Sequence, residues 1–261
     1  MTDREVLAWL RAEWARPFQG WDFSYLRGRR ETVGGKSWDL ETLLGEAVAG
    51  ASAMVDLGTG DGRFLADLIA AAGRPARTCA TEGYAPNAPL AHARLAPLGV
   101  GVVQAEADAG DPGMGRLPFV DGAFDLVMSR HTGYRADEVA RVLRSGGRLV
   151  TQQVGDRTNV DLHTLLGAPP KAGGPWHAAH AAGLAATAGL RVRRAEDACT
   201  TTRYRDVGAI AWYLKAVSWE IPDFSVDRYA GPLLRLHRAM ERTGQPIEVG
   251  FHVFLLVAEK P

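Results

Sequence analysis

The stretch Val55-Asp56-Leu57-Gly58-Thr59-Gly60-Asp61-Gly62-Arg63-Phe64-Leu65 decides the fold. The apolar run Ala53, Met54, Val55 and Leu57 reads as a buried strand. Three glycines on alternate positions follow, and an apolar-periodic helix begins at Phe64. Glycines accept left-handed backbone and let a ligand come close to the main chain. The helix start behind them offers free N–H groups and a partial positive charge. Strand, glycine turn and helix together suit a ligand lying over the strand's carboxyl end.

The spacing also restricts the ligand. A dinucleotide fingerprint is G-x-G-x-x-G, with its turn aimed at a pyrophosphate. Here the pattern is G-x-G-x-G, and Asp56 stands two residues before the first glycine. A carboxylate there repels a pyrophosphate but can hold a cation.

Outward from this stretch, strand and helix alternate, which predicts a parallel sheet covered on both faces. Strands are expected at Ala53–Leu57, Thr78–Thr81, Gly101–Glu106, Phe124–Ser129 and Arg148–Val154. Helices are expected at Arg63–Ala72, Asn87–Leu98 and Ala136–Leu143. Upstream, helices over Asp3–Arg16 and Asp39–Ala49 form an N-terminal cap across residues 1–50. Downstream, residues 155–250 are a variable helical region, with helices at Trp176–Ala188, Ile210–Val217 and Tyr229–Arg242. A last strand at Phe251–Ala258 would pair beside one at Leu190–Ala195.

Asp56 with Gly58, Thr59, Gly60 and Gly62 resembles motif I of the class I S-adenosylmethionine (SAM) methyltransferases. Glu82, 20 residues past Gly62 and followed by Gly83, stands where an acid can accept from both ribose hydroxyls. Taken alone it reads better as a solvated loop-end acid. Asp108 with Ala109 stands where an acid takes the adenine amine, and its plain reading is a turn former. Leu117-Pro118-Phe119 through Val127 and Val139 through Leu149 are similar to later segments of the same family. The resemblance covers residues 53–154. It implies a Rossmann-like seven-stranded sheet, mostly parallel with one antiparallel strand, in a single domain with core 51–154 and final strand 251–261. It is nearest to the small-molecule ubiquinone/menaquinone-type branch and implies SAM as cofactor and a bacterial metabolite as acceptor.

Chemistry is expected at the carboxyl end of the Phe124–Ser129 strand, where Ser129, Arg130 and His131 follow one another. His131 is the candidate general base, since an imidazole titrates near neutrality; otherwise it only orients the loop or covers the methionine end of SAM. Arg130 is suited to a carboxylate, of SAM or of the substrate. Tyr25, in the aromatic and arginine-rich segment Trp21–Arg30, is a candidate for reaching the cofactor as part of a lid. The absence of an Asn/Asp-Pro-Pro-Tyr/Phe sequence argues against the methyltransferases that modify exocyclic amines of nucleic-acid bases. Trp212, Tyr213, Trp219 and Phe224 read either as a substrate pocket or as core.

Composition fits an enzyme of small molecules. Hydrophobic residues make up 46% of 261, enough for a full core, and 30 basic residues balance 30 acidic ones. Net charge near zero argues against affinity built on phosphate neutralisation. Scattered arginines keep an RNA methyltransferase open as an alternative, and the same pocket would serve a SAM-binding protein with other chemistry. Two cysteines, Cys79 and Cys199, form no metal pattern and are expected as core thiols in a reducing compartment. The N-terminal segment lacks a signal-peptide core and no apolar run reaches membrane-spanning length, so a cytoplasmic protein is expected.

Overall fold

The computed structural model describes residues 1–105 and 115–261. Asp108 and Ala109 therefore lie outside the described residues. In chain order the elements are α1 (Asp3–Ala15), β1 (Arg30–Val33), α2 (Leu40–Ala49), β2 (Ala53–Leu57), α3 (Arg63–Ala72), β3 (Arg77–Glu82), α4 (Ala88–Leu95), β4 (Gly101–Gln104), β5 (Phe124–Arg130), α5 (Ala136–Val142), β6 (Leu143–Val154), α6 (Val160–Leu166), α7 (Ala178–Thr187), β7 (Arg191–Tyr204), α8 (Val207–Ala216), α9 (Ala230–Thr243) and β8 (Ile247–Glu259).

The sheet has eight strands in the order β1-β7-β8-β6-β5-β2-β3-β4, not the seven expected. The extra strand is β1, which pairs antiparallel with β7, Arg30 opposite Tyr204 and Val33 opposite Thr201. Its sequence, Arg-Glu-Thr-Val, carries no apolar alternation, because an edge strand needs only backbone partners. Strands β2 to β6 pair in parallel, and β8 runs antiparallel to β6. All five residues of β2 are buried, as in a central strand covered on both faces.

The contacts divide the chain into two compact units. One comprises residues 36–155, 175–198 and 253–261 and holds the parallel strands; we call it the sheet unit. Its core runs from Val55, Leu57 and Val127 through Val139 and Leu149 to Phe254, Leu256 and the alanines of α7. Asp125 ties β5 to the entry of β2, accepting from the Ser52 and Ala53 amides at 2.9 and 3.0 Å.

The other unit comprises residues 1–35, 156–174 and 199–252. Its core gathers Val6 and Leu10 of α1, Leu162 and Leu166 of α6, most of α8 and Leu233 and Leu236 of α9. Trp212, Tyr213 and Phe224 are buried in that core, whereas Trp219 is exposed and meets Trp21 edge-on. Cys79 is half-buried and Cys199 exposed, so the expectation of two core thiols fails: Cys199 points outward from alternating β7.

Among the described residues no helix is long and apolar enough to cross a membrane, and no cluster of His, Cys, Asp or Glu has metal-ligating geometry.

Candidate functional site

The neighbours of β2 are β3 on one side and β5 on the other. Chain direction along the sheet reverses between them, and ligands of open α/β sheets bind beyond the carboxyl ends at such a point. The carboxyl end of β2 carries Asp56 and the glycine loop; that of β5 carries Ser129, Arg130 and His131.

Gly58, Gly60 and Gly62 all adopt left-handed backbone, at φ 67°, 66° and 79°. Only glycine takes this conformation routinely. Close approach adds a second constraint: a Cβ on Gly58 would lie 2.1 Å from the Thr132 hydroxyl oxygen. The loop is fixed by β3. The Gly58 amide donates to the Thr81 hydroxyl at 3.2 Å and the Thr59 amide to the Thr81 carbonyl at 2.9 Å. Glu82 completes the fixation. Its Oε2 accepts from the Gly60 amide at 2.6 Å and its Oε1 from the Tyr84 amide at 2.9 Å, past Gly83. Each carboxylate oxygen keeps lone-pair capacity for a further donor.

Two buried acids face this loop region. Asp56 is 3% exposed, and its pKa is pushed up to about 7, chiefly by burial; the Glu82 charge adds to this and the Arg130 charge opposes it. Burial also raises the Glu82 pKa, against the two amides that favour its charged form. A buried acid poised near neutrality is favoured to ionise when a cation arrives. The buried Thr59 hydroxyl lies beside the Asp56 carboxylate and favours its charged form, against the effect of burial.

Opposite stand the basic groups. The Arg130 guanidinium lies 4.1 Å over the Phe64 ring, and no carboxylate pairs with it among the described residues. Dense surroundings lower its pKa, opposed by the charges of Asp56 and Glu41. His131 sits in left-handed backbone at φ 63°. Its amide donates to the Gln152 carbonyl at 2.9 Å, and its Nε2 lies 2.9 Å from Gln152 Nε2. Burial among protein atoms, then the Arg130 and Lys36 charges, pushes its pKa down to about 3. Both side chains nonetheless belong to exposed residues.

The expected residues Asp56, Gly58, Thr59, Gly60, Gly62, Glu82, Gly83, Ser129, Arg130 and His131 therefore share one end of the sheet unit. Tyr25 belongs to the other unit, where its hydroxyl donates to Glu13 at 2.8 Å and its ring packs on Trp212. Sequence reasoning missed Thr81, Thr132 and Gln152. The first two carry a faint signal as hydroxyl residues at strand ends; Gln152 carries none, since its partners Lys36 and Trp38 are over 100 residues away.

Residues 55–151 match a family model described as a methyltransferase domain. The solved structures agree at the level of fold. The chain is similar to the BH2331 protein of Bacillus halodurans C-125, proposed to be a methyltransferase, at 17% identity and TM-score 0.57, covering 85% of this chain and 99% of that one. It is similar to the YcgJ protein of Bacillus subtilis at 17% identity and TM-score 0.56, covering 84% and 97%. The [4+2]-cyclase SpnF aligns at 16% identity and TM-score 0.50, covering 85% and 80%. No curated protein matches the chain. A cyclase on the same scaffold shows that fold alone does not fix the reaction.

Proposed function

We propose that the protein is a SAM-dependent methyltransferase acting on a small molecule. The observation that carries this reading is the pairing of a left-handed glycine loop with two buried acids and no phosphate-binding spacing. SAM presents an ammonium, a sulfonium and two ribose hydroxyls, and it has no phosphate. The residues fit these groups. Buried Asp56 supplies negative charge where a cation would approach. Glu82, already oriented by Gly60 and Tyr84, has free lone pairs for ribose hydroxyls. Gly58, Thr59, Gly60, Gly62 and Gly83 give main-chain proximity, and the Thr59 hydroxyl favours the charged form of Asp56. Arg130 is the group for a carboxylate, and Ser129 helps to shape the strand end.

When bound, SAM supplies an activated methyl group whose leaving group is a neutral thioether. The chain then has two tasks: to hold the acceptor in line and to manage its charge. Arg130 and His131 stand at the carboxyl end of β5 for this. Balanced net charge and the sequence resemblance to the ubiquinone/menaquinone-type branch favour a small acceptor over RNA.

The test is a thermal-shift comparison of SAM, S-adenosylhomocysteine and NAD. A ligand at about 100 times its dissociation constant adds roughly 2.7 kcal/mol. Stabilisation by both SAM compounds and not by NAD is expected, with loss of the response in Asp56→Ala and Glu82→Ala. Stabilisation by NAD alone would overturn the reading. Incubation with labelled SAM and acceptor mixtures then separates methyl transfer from other uses of the cofactor.

A further inference from the structure

The amide of Gln152 has only one orientation that satisfies its neighbours. The Lys36 ammonium lies 3.0 Å and the Trp38 indole Nε1 2.9 Å from the same atom, Gln152 Oε1. Ammonium and indole nitrogens only donate. That atom must therefore be the carbonyl oxygen, and the amide's NH2 faces His131 Nε2 at 2.9 Å. An NH2 group donates, so His131 Nε2 must accept. The proton of a neutral imidazole then resides on Nδ1. A doubly protonated ring would set an N–H against an N–H, beside two cations.

We propose that Gln152, held by Lys36 and Trp38, locks His131 as a neutral Nδ1–H donor, and that with Arg130 it binds an oxyanion of carboxylate type. This rests on the methyl-transfer reading for its place in a reaction and stands on geometry for the tautomer. Among the described residues, His131, Arg130 and Lys36 then present donors only. His131 Nε2 is occupied, Arg130 has no lone pair to offer, and Lys36 is a cation. A nucleophile that must lose its proton finds no base among these three. The acceptor suited to the site arrives as an anion or with a free lone pair. The oxyanion itself belongs either to the cofactor's amino-acid end or to the acceptor. Gln152, Lys36 and Trp38 are positioning residues in this scheme, acting through His131.

Long-range nitrogen NMR on the unliganded protein reads the tautomer directly. His131 is expected to show a protonated Nδ1 and a bare Nε2, without titrating between pH 8 and pH 5. A protonated Nε2, or a midpoint near that of free histidine, overturns the proposal whether or not SAM binds. In Gln152→Glu a carboxylate oxygen replaces the NH2, and His131 is expected to switch to Nε2–H and titrate at least one pH unit higher. If that variant does not fold, the wild-type spectrum alone decides. Calorimetry with S-adenosylhomocysteine and methylthioadenosine, which lacks the carboxylate, assigns the oxyanion. A tenfold loss for S-adenosylhomocysteine alone in Arg130→Met assigns it to the cofactor. No loss there, with acetate or benzoate still stabilising wild type and not Arg130→Met, assigns it to the acceptor. The absence of both effects refutes the oxyanion site.

Discussion

Asp56→Asn separates the energetic cost of this carboxylate from its use. Burial raises the Asp56 pKa from the usual 3.8 to about 7. Between those values the folded chain holds a proton that the unfolded chain has released, so stability falls as pH rises and levels off above about 7. The shift is about three units, which at 1.36 kcal/mol per unit sets a ceiling of roughly 4 kcal/mol. Asparagine has nearly the shape of the protonated acid and no charge. Urea unfolding of wild type and Asp56→Asn at pH 4.5 and pH 8.5 measures the difference. The variant is expected to exceed wild type by about 1 kcal/mol at the lower pH, which already lies above the unfolded pKa, and by up to about 4 kcal/mol at the higher. Its response to SAM should vanish at both. In wild type the apparent affinity for SAM should rise as pH passes through about 7, with proton release, because a bound cation stabilises the carboxylate. A stability difference that does not change with pH would refute the reasoning, since it would mean that the acid is ionised at no cost.

Other outcomes follow from neighbouring geometry. Thr81→Val removes the acceptor of the Gly58 amide while keeping shape; circular dichroism should show a loss of about 1–2 kcal/mol and calorimetry weaker SAM binding. Gly58→Ala forces a Cβ against Thr132 at a left-handed position, so it should destabilise more, and Gly58→Ala/Thr132→Gly should recover the steric part but not the backbone strain. Tyr134 is buried and its hydroxyl has no partner among the described residues, its ring edge-on to Trp176; Tyr134→Phe should raise the melting temperature, by an amount matching about 1 kcal/mol, and a fall would show a hidden partner.

The core of the fold was legible because its signals are local. The strand over Ala53–Leu57 and the helix over Arg63–Ala72 end where the apolar pattern, the glycines and the helix start place them. Boundaries drifted where a pattern is interrupted: β6 begins at Leu143, five residues before the predicted start, because its pairing with β5 shifts register around Gly146 and Gly147. β7 continues to Tyr204, far past Ala195, on an alternation too polar to recognise as a strand. α6 spans only 7 residues, so its buried Leu162 and Leu166 make too short a period to recognise, and β1 is a polar edge. In the site, Asp56, the glycines and Glu82 could be read because strand ends in register bring them together. The Lys36–Trp38–Gln152–His131 chain could not, since three separate segments converge only through tertiary packing.

The Glu82 clamp has a consequence for how a ligand binds. Its two amide bonds are in place before anything arrives, so the glycine loop has already lost its conformational freedom during folding. Association then needs little further ordering of the backbone there. Calorimetric titration should give a heat-capacity change explained by buried ligand surface alone, without the larger value that marks coupled folding. Hydrogen exchange at the Gly60 amide should be slow in the free protein as well as in the complex.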